Sequence, residues 1–296
     1  MSKTPLVYIV ILNWNGWKDT LACVESCRKL AYDNFHIVII DNGSVDGSEH
    51  ILRNALPNIE LIQSGSNLGF AGGNNIGIHV ALKHTAQYIW LLNNDTTVEI
   101  AALKALVEAA EKYPGAGIIG SKIFTYSDSN RLWFAGGFWR VAKLLLKIRG
   151  EGEEDRGQYD QLREVDFITG CSLLIRASAV LDIGLLDERY FLYWEDTDWN
   201  ARAAKHNWQI LYAPGSIVRH KVSSSFKRKT YEQAYYYLRN KLLFFERHAP
   251  LLLPLVLLFG LLGALRYILQ GQTNFTRGYL DGLKDYIRRQ FGKRSA

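Results

Sequence analysis

The amino-acid sequence predicts an α/β fold, a mostly parallel central sheet with helices on both faces, followed by a helical C-terminal extension. Three observations lead there. Short aliphatic runs alternate with helix-period segments through residue 112. Each run stops at a polar turn. Beyond residue 248 an uncharged apolar stretch is followed by a basic one. Strands that alternate with helices form βαβ units, and a parallel sheet covered on both faces needs continuously aliphatic strands.

The elements follow in order. Residues 7–12 are aliphatic and β-branched and end at Asn13-Trp14-Asn15-Gly16, which predicts a buried strand. In residues 19–30, Leu21, Val24, Cys27 and Leu30 recur every three positions and predict a helix. Residues 36–40 predict the second strand, stopped by the turn Asp41-Asn42-Gly43-Ser44. A helix over 48–55 closes at Pro57, and a third strand covers 59–63. The glycine-rich stretch 67–77 predicts a loop leading into a helix over 78–84. The fourth strand, 88–92, ends at Asn93-Asn94-Asp95, and a helix spans 98–112 before Tyr113-Pro114-Gly115.

The middle of the chain is less regular. Residues 118–126 predict a strand. Residues 126–161 are polar and mixed in charge, so surface loops are expected there, a lid among them. Strands over 167–175 and 209–212, helices over 176–183 and 196–206, and an aromatic-rich helix over 231–246 complete the pattern. The expected division is a domain over residues 1–228 and a helical region over 229–296, apolar in 249–265 and basic in 266–296.

Composition narrows the class. With 296 residues, 48% hydrophobic and 22% charged, the chain can bury a sizeable core without staples. Its three cysteines, Cys23, Cys27 and Cys171, argue against a disulfide framework and for a reducing compartment. The apolar run at Leu6–Leu12 is too short for a signal peptide and has no cleavage site after it. The formal charge is +6, and from Arg266 onward seven lysines and arginines against two aspartates leave +5 in the tail. A basic tail calls for an anionic partner. No nucleic-acid recognition motif accompanies it, so no nucleic-acid partner is expected. An apolar run beside a polybasic segment instead fits binding to an anionic membrane surface. The run of 17 uncharged residues falls just short of a spanning helix, which needs about 20. A helix packed on the core or on a second subunit would show the same pattern.

Ligands of open α/β sheets bind at the carboxyl ends of the strands. Four polar segments fall there: Asn13-Trp14-Asn15, Asp41-Asn42, residues 67–73 and Asn93-Asn94-Asp95. Asp41 can accept a hydrogen bond from a pyrimidine ring N–H, or merely hold its own turn. The glycine-rich stretch can let backbone N–H groups approach phosphate, or simply turn; it is neither a dinucleotide fingerprint nor a P-loop. Asp95, with amide oxygens beside it and substrate phosphates, can hold a hard cation. Glu195, Asp196 and Asp198 crowd three carboxylates into four positions. They could cap a helix start or supply a general base. His220 follows the last core strand, where a structural role is the commoner one. Ser223–Lys229 after it is basic and serine-rich, able to close over a diphosphate or to stay solvated.

Taken together and in this order, the segments resemble the family-2 glycosyltransferases with the GT-A fold, most of all the bacterial rhamnosyltransferase-like members. The resemblance runs over roughly residues 5–245. It rests on Ile11-Leu12-Asn13-Trp14-Asn15-Gly16, Asp41-Asn42-Gly43-Ser44-Val45-Asp46-Gly47-Ser48, Asn67-Leu68-Gly69-Phe70-Ala71-Gly72-Gly73-Asn74-Asn75, Leu91-Leu92-Asn93-Asn94-Asp95-Thr96, Gly170-Cys171, Asp187-Glu188-Arg189-Tyr190-Phe191 through Asp196, and His220.

The resemblance implies a Rossmann-like GT-A domain that inverts the anomeric centre. It implies Asp41 on the pyrimidine base and Asn13 and Asn15 on the pocket wall. Asn67, Gly69, Phe70, Asn74 and Asn94 would complete the nucleotide-sugar site. Asp95 and His220, with Asn93, would hold Mn2+ or Mg2+. Asp196, with Glu195 beside it, would be the catalytic base. The sequence departs from the family's D-x-D motif at Asn93, which leaves one protein carboxylate at the metal. The subgroup suggests dTDP-L-rhamnose, or a UDP-linked sugar, as donor. It suggests a lipid-linked or polysaccharide acceptor in cell-surface glycan synthesis, at the cytoplasmic face of the inner membrane. The oligomeric state stays open, a dimer included. Two other functions would share many of these residues. A sugar nucleotidyltransferase would want a basic loop after the first strand, but no Arg or Lys occurs there before Lys18. A non-catalytic nucleotide-sugar-binding membrane protein would have no need of Glu195-Asp196 and His220.

Overall fold

The computed structural model describes residues 4–140, 145–221 and 230–294. Strands β1 (Val7–Asn13), β2 (Phe35–Asp41), β3 (Glu60–Gln63) and β4 (Tyr88–Asn93) alternate with helices α1 (Trp17–Cys27), α2 (Ser48–Ala55) and α3 (Gly69–Lys83). The short strand β5 (Thr96–Val98) precedes α4 (Ala102–Lys112). Then come β6 (Ala116–Thr125), β7 (Asp128–Phe134), β8 (Gly137–Arg140), β9 (Leu145–Ile148), β10 (Arg163–Glu164) and β11 (Ser172–Arg176). Helices α5 (Ala177–Ile183) and α6 (Glu195–Lys205) lead to the long strand β12 (Gln209–His220).

The central sheet runs in the order β10-β12-β6-β11-β4-β1-β2-β3, with β5 on β12 and β7 on β6. β1 pairs in parallel with β2 and β4, and its Val7, Ile9, Val10 and Ile11 are fully buried. Burying each such aliphatic side chain contributes about 1.5–3 kcal/mol, which is why the aliphatic runs take the middle of the sheet. Between β4 and β6 lies the reversed strand β11, so its first residue, Ser172, faces Leu92 near the end of β4. β6 is reversed again and β12 runs parallel to it. The ends of β1, β2, β4 and β12 and the start of β11 therefore share one rim.

Several expectations change. The stretch 67–77 is not a loop ahead of a helix: α3 already begins at Gly69. Its glycines serve packing, since a Cβ on Gly73 would sit 2.4 Å from Leu12 Cδ1 and one on Gly77 2.3 Å from Val10 Cγ1. Only glycine lets this helix lie so close on β1. The helix expected from residue 98 starts at Ala102, because Thr96–Val98 pair with Val218–His220 as β5. Residues 126–161, expected as loops, contain β7 and the β8–β9 hairpin. The strand expected over 167–175 begins only at Ser172, after a turn at Thr169. The strand expected over 209–212 continues to His220 across an irregularity between Ala213 and Ile217.

The C-terminal part folds back on this sheet domain. Helix α7 (Tyr231–His248) is followed by a 3-10 turn (Pro250–Leu252), α8 (Leu253–Leu269) and α9 (Thr273–Ile287). Leu242, Phe244, Phe245, Val256 and Tyr286 form a core with Tyr190 and Trp194, so the helices and residues 190–194 share one interior. α8 buries only Val256, Gly260 and Ala264, a stripe every fourth residue, and leaves Leu255, Leu258, Phe259, Leu261, Leu262, Leu265, Ile268 and Leu269 exposed.

Candidate active site

The rim of the sheet is a dense polar network. Asp41, at the end of β2, is fully buried. Its Oδ1 accepts from Asn13 Nδ2 at 2.6 Å and Ser44 Oγ at 2.5 Å. Its Oδ2 accepts from Gln63 Nε2 at 2.7 Å and Ser44 N at 3.3 Å. Asn13, also fully buried, accepts from Thr20 Oγ1 at 2.7 Å. Asn15 N–H donates to Ser44 Oγ and its Oδ1 accepts from Val45 N, both at 2.9 Å. Asn94 Nδ2 donates to Thr20 Oγ1 at 3.0 Å. Asp41 and Asn13 thus sit beneath the surface and brace the two turns above them.

Over this network opens a cleft of about 990 Å³. Trp14, Asn15, Asn42, Ser66, Asn67, Gly69 and Phe70 line one side, and Asn93, Asn94 and Asp95 line the end of β4. Phe191, which accepts from Phe70 N–H at 2.7 Å, lines it too, with Leu192, Tyr231, Tyr235, Tyr236, Lys293 and Arg294. Of the expected nucleotide-site residues, Asn13, Asp41 and Asn74 do not line it. Asn74 is buried and its Nδ2 donates to Phe70 O, four residues back, as a helix-interior amide does.

Asp95 and His220 meet across the rim. His220 Nε2 lies 3.2 Å from Asp95 Oδ1, and Lys221 N–H donates to Asp95 O at 2.8 Å. The 3.2 Å contact is not directed as a hydrogen bond: Asp95 Oδ1 and His220 Nδ1 are both buried without a hydrogen-bond partner. Burial opposes a charge on His220, but the sulfur of Cys171 and the Asp95 carboxylate outweigh it and push the imidazole up to about 10. Burial raises the Cys171 thiol as well. Among the described residues, no group of three or more His, Cys, Asp or Glu comes together that could hold a metal.

Glu195 and Asp196 open α6. Neither caps it: the cap is Trp194, in the left-handed region at φ 76° with no side-chain bond. Asp196 is half-buried. Its Oδ2 accepts from Gly170 N at 2.9 Å, and its Oδ1 from Thr197 N at 2.7 Å and Thr197 Oγ1 at 3.2 Å. Burial raises its pKa, and these donors pull it back. Glu195 is 4% exposed, and its Oε2 has no partner. Burial, and then repulsion by Asp196, raise Glu195 well above the usual carboxylate range. Of the two, Glu195 is the more strongly raised, because donors from Gly170 and Thr197 favour the charged form of Asp196. Gly170-Cys171 ties the parts together, since Cys171 O accepts from Asn93 N at 2.9 Å while Gly170 N holds Asp196. Asp196 and His220 stand just behind the cleft wall; a Cβ on Gly170 would be 2.8 Å from Phe70 Cζ and 3.5 Å from Asp196 Cβ.

The segment before α6 is strained. Phe191, Tyr193 and Trp194 all have positive φ, at 62°, 67° and 76°. Such residues cost about 1–3 kcal/mol each and persist only where their surroundings enforce them. Helix α7 does so: Asn240 Nδ2 donates to the carbonyls of Tyr190, Leu192 and Tyr193 at 2.7, 2.8 and 2.9 Å. The buried Arg239 donates to the carbonyls of Arg189 and Tyr190.

The family model of Glycosyl transferase family 2 matches residues 8–184, more than half of the chain. The chain belongs to glycosyl transferase family 2. Among its relatives, this glycosyltransferase is 27% identical over 237 residues to an N-acetylglucosaminyl-diphospho-decaprenol L-rhamnosyltransferase of Mycobacterium tuberculosis, covering 72% of this chain and 75% of that one. It is 24% identical over 262 residues to a dTDP-rhamnosyl transferase of Shigella flexneri, covering 84% and 83%. Its type is rhamnosyltransferase-like. Solved structures share the fold. GalNAc-T7 with UDP, GalNAc and Mn2+ superposes with a TM-score of 0.66 at 16% identity, over 83% of this chain and 48% of that one. A mannosyltransferase from Pyrobaculum calidifontis with GDP-Man and Mn2+ gives 0.60 at 12% identity, over 98% and 89%. The architecture is GT-A.

The glycosyltransferase thus gathers Asn15, Asn67, Gly69, Phe70, Asn93, Asn94 and Asp95 on one cleft, with His220, Glu195 and Asp196 directly behind it. Ser223–Lys229 lies outside the described residues. Sequence reasoning missed Asn42, Phe191, Tyr231, Tyr235, Lys293 and Arg294. Asn42 stood in the quoted turn beside Asp41, but nothing local told that its side would face the cleft. The basic tail signalled an anionic partner but not a place at this cleft, which depends on how three helices return.

Proposed function

We propose that this glycosyltransferase moves L-rhamnose from dTDP-rhamnose to a hydroxyl of a lipid-linked sugar acceptor, with inversion, in cell-surface glycan synthesis. One observation carries the chemistry: Asp95 with His220, and Asp196 on Gly170, meet at a single rim through the Gly170-Cys171 peptide. The two rhamnosyltransferase relatives support the sugar, and the Mycobacterium tuberculosis one the lipid-linked acceptor.

The donor set suits a divalent cation held partly by substrate. Asp95 Oδ1 is a buried polar atom without a hydrogen-bond partner, and His220 Nε2 faces it at 3.2 Å. Two protein groups, with the Asn93 amide alongside, match a Mn2+ or Mg2+ whose remaining ligands are nucleotide phosphates and water. When bound, such an ion neutralises charge on the departing diphosphate. Asp196 takes the proton of the acceptor hydroxyl, its other lone pairs fixed by Gly170 and Thr197. Glu195, kept neutral by burial, adds no second charge beside it. Phe70 would have to shift or be displaced by substrate to open Asp196 to the cleft. Asp41, engaged by four donors, acts by fixing the Asn13–Asn15 and Asp41–Ser44 turns on which the base rests.

The exposed leucines of α8 fit an anionic bilayer surface. The stretch Pro250–Leu269 is long and apolar enough to cross a membrane. It packs lengthwise on its neighbours: Gly260 approaches Leu238 of α7, and Gly263 approaches Tyr279 of α9. A spanning α8 would drag these charged helices into hydrocarbon, so α8 lies in the interface with its leucines inward. Three buried free cysteines agree with the cytoplasmic face.

The test is a donor panel of dTDP-, UDP- and GDP-sugars, each with and without Mn2+, with product anomers read by NMR. Inverted transfer from dTDP-rhamnose is expected. Transfer from GDP-sugars alone, or retention of configuration, would overturn the assignment.

A further inference from the structure

We propose that the C-terminal segment is part of the substrate site, and that Lys293 and Arg294 bind a phosphate of a substrate held in the cleft. The proposal deepens the nucleotide-sugar transfer reading and rests on it. Both residues line the same cleft as Asn15, Asn67 and Asp95.

The segment reaches the cleft by defined contacts. Gly292 N–H donates to Arg189 O at 2.8 Å, and Arg239 Nη1 donates to Gly292 O at 2.8 Å. Arg294 N–H donates to Tyr236 Oη at 3.1 Å. The Arg294 guanidinium lies 4.6 Å from the Tyr231 ring centre and 5.3 Å from that of Tyr235. Those two hydroxyls donate to Asp281 and Asp285 of α9 at 2.6 and 2.8 Å, so the aromatic shelf is itself fixed.

Arg294 is held in place but not used up, and Lys293 stands next to it in the chain. Arg294 Nη2 is 3.4 Å from Asp281 Oδ2. Its Nε and Nη1 have no hydrogen-bond partner among the described residues, and neither has Lys293 Nζ. Glu232 lines the same cleft and offsets one of the charges. A fixed guanidinium with free donors, next to a second cation on the lining of the cleft, is suited to a phosphate, whose oxygens match its forked geometry. The donor's nucleoside diphosphate and a lipid diphosphate of the acceptor present the same chemistry.

The test compares full-length wild type with the double variant Lys293→Gln/Arg294→Gln. Calorimetry reads the affinity for dTDP, and separately for farnesyl diphosphate in detergent. Thymidine and farnesol are the phosphate-free controls. The variant is expected to lose about 10-fold or more on one diphosphate probe and nothing on the controls. Loss on dTDP assigns the contact to the donor, and loss on farnesyl diphosphate to the acceptor. Lys293→Arg/Arg294→Lys keeps both charges but not the stacked fork, and is expected to lose less affinity than the double glutamine variant. Both side chains are exposed, so the melting temperature should not move. Unchanged affinity for both diphosphates overturns the proposal while leaving the transfer reading intact. A wild type that binds neither probe sinks the transfer reading and this proposal with it.

Discussion

His220 Nε2 stands 3.2 Å from Asp95 Oδ1, so the end of β12 meets the end of β4 with two buried polar atoms left unsatisfied. Because the described residues bring only Asp95 and His220 to this point, with the Asn93 amide alongside, cation binding should depend on the nucleotide. Mn2+ alone should bind weakly, and dTDP should tighten it. Asp95→Ala should lower the affinity for Mn2+ in the presence of dTDP by about 10–100-fold, the loss expected for a charged contact. Chelation should abolish transfer and added Mn2+ restore it. Electron paramagnetic resonance of Mn2+ reads both; equal affinity in the Asp95→Ala protein would remove Asp95 from the site.

Asp196→Asn should keep dTDP affinity and lower kcat by about 10²–10⁴-fold, the usual contribution of a general base. Since burial raises its pKa, the acid limb of kcat/KM should lie above the ordinary carboxylate range. The sign follows from its role, because the base works only when ionised, so rate is lost as pH falls. A variant that turned over at the wild-type rate would return Asp196 to structure alone.

Glu195 gives a stability effect of opposite sense. Its folded pKa is raised by burial, so between the unfolded and folded values the native state holds more protons. Stability from this group is present at low pH and lost as pH rises through the folded pKa. Glu195→Gln, uncharged throughout, should therefore gain melting temperature relative to wild type as pH rises, and lose the slope. Calorimetric melts at two pH values check it. Parallel curves for the two proteins would show Glu195 to be ionised in the native state.

The parts of this arrangement that were legible in sequence are those set by local pattern. The β1, β2 and β4 runs and their polar ends follow from burial on both faces, and Asn93-Asn94-Asp95 falls where a strand must stop. The α3 helix was hidden because Gly72, Gly73 and Gly77 are poor helix formers, and tertiary packing on Val10 and Leu12 overrides that propensity. The length of β12 was hidden by Pro214 and Gly215, which break a strand pattern and here mark an irregularity within one strand. That Asn42 faces the cleft while Asp41 sits beneath it depends on how the turn is braced, which one sequence does not encode locally.

The α3–β1 contact makes a direct stability prediction. A methyl on Gly77 would come within 2.3 Å of Val10 Cγ1, inside the closed core. Overpacking of this kind costs about 1–3 kcal/mol. Gly77→Ala should lower the melting temperature by several degrees, on the order of 2–4 °C per kcal/mol. An unchanged melt would show that α3 can move off β1 without cost.

Asn240 acts on Asp196 through the strained loop. It supplies donors to the carbonyls of Tyr190, Leu192 and Tyr193, and the positive-φ residues Phe191, Tyr193 and Trp194 lead straight into Glu195-Asp196. Asn240→Ala should leave buried carbonyls unpaired, at about 1–3 kcal/mol, and let the loop relax. A positioning role predicts a fall in kcat with dTDP affinity retained. Asn240→Gln should recover neither, because the longer amide cannot reach the same three carbonyls. A variant with reduced stability and full kcat would make the contact purely structural.

The proposed membrane binding rests on the apolar side of α8. Leu258, Phe259 and Leu262 are about half-exposed, at 50%, 56% and 51%, on a helix whose other side is packed. In water this surface is unfavourable, and inserting it into an interface recovers about 25 cal/mol per Å² of apolar area. Replacing the three with serine should weaken binding to anionic vesicles, read by flotation, by at least about 10-fold. The same protein should keep its turnover on a soluble acceptor analogue, since none of the three touches the cleft. Loss on vesicles with retained soluble turnover separates anchoring from chemistry. Equal flotation of the two proteins would give α8 another partner, and the most direct alternative is the same face of a second copy.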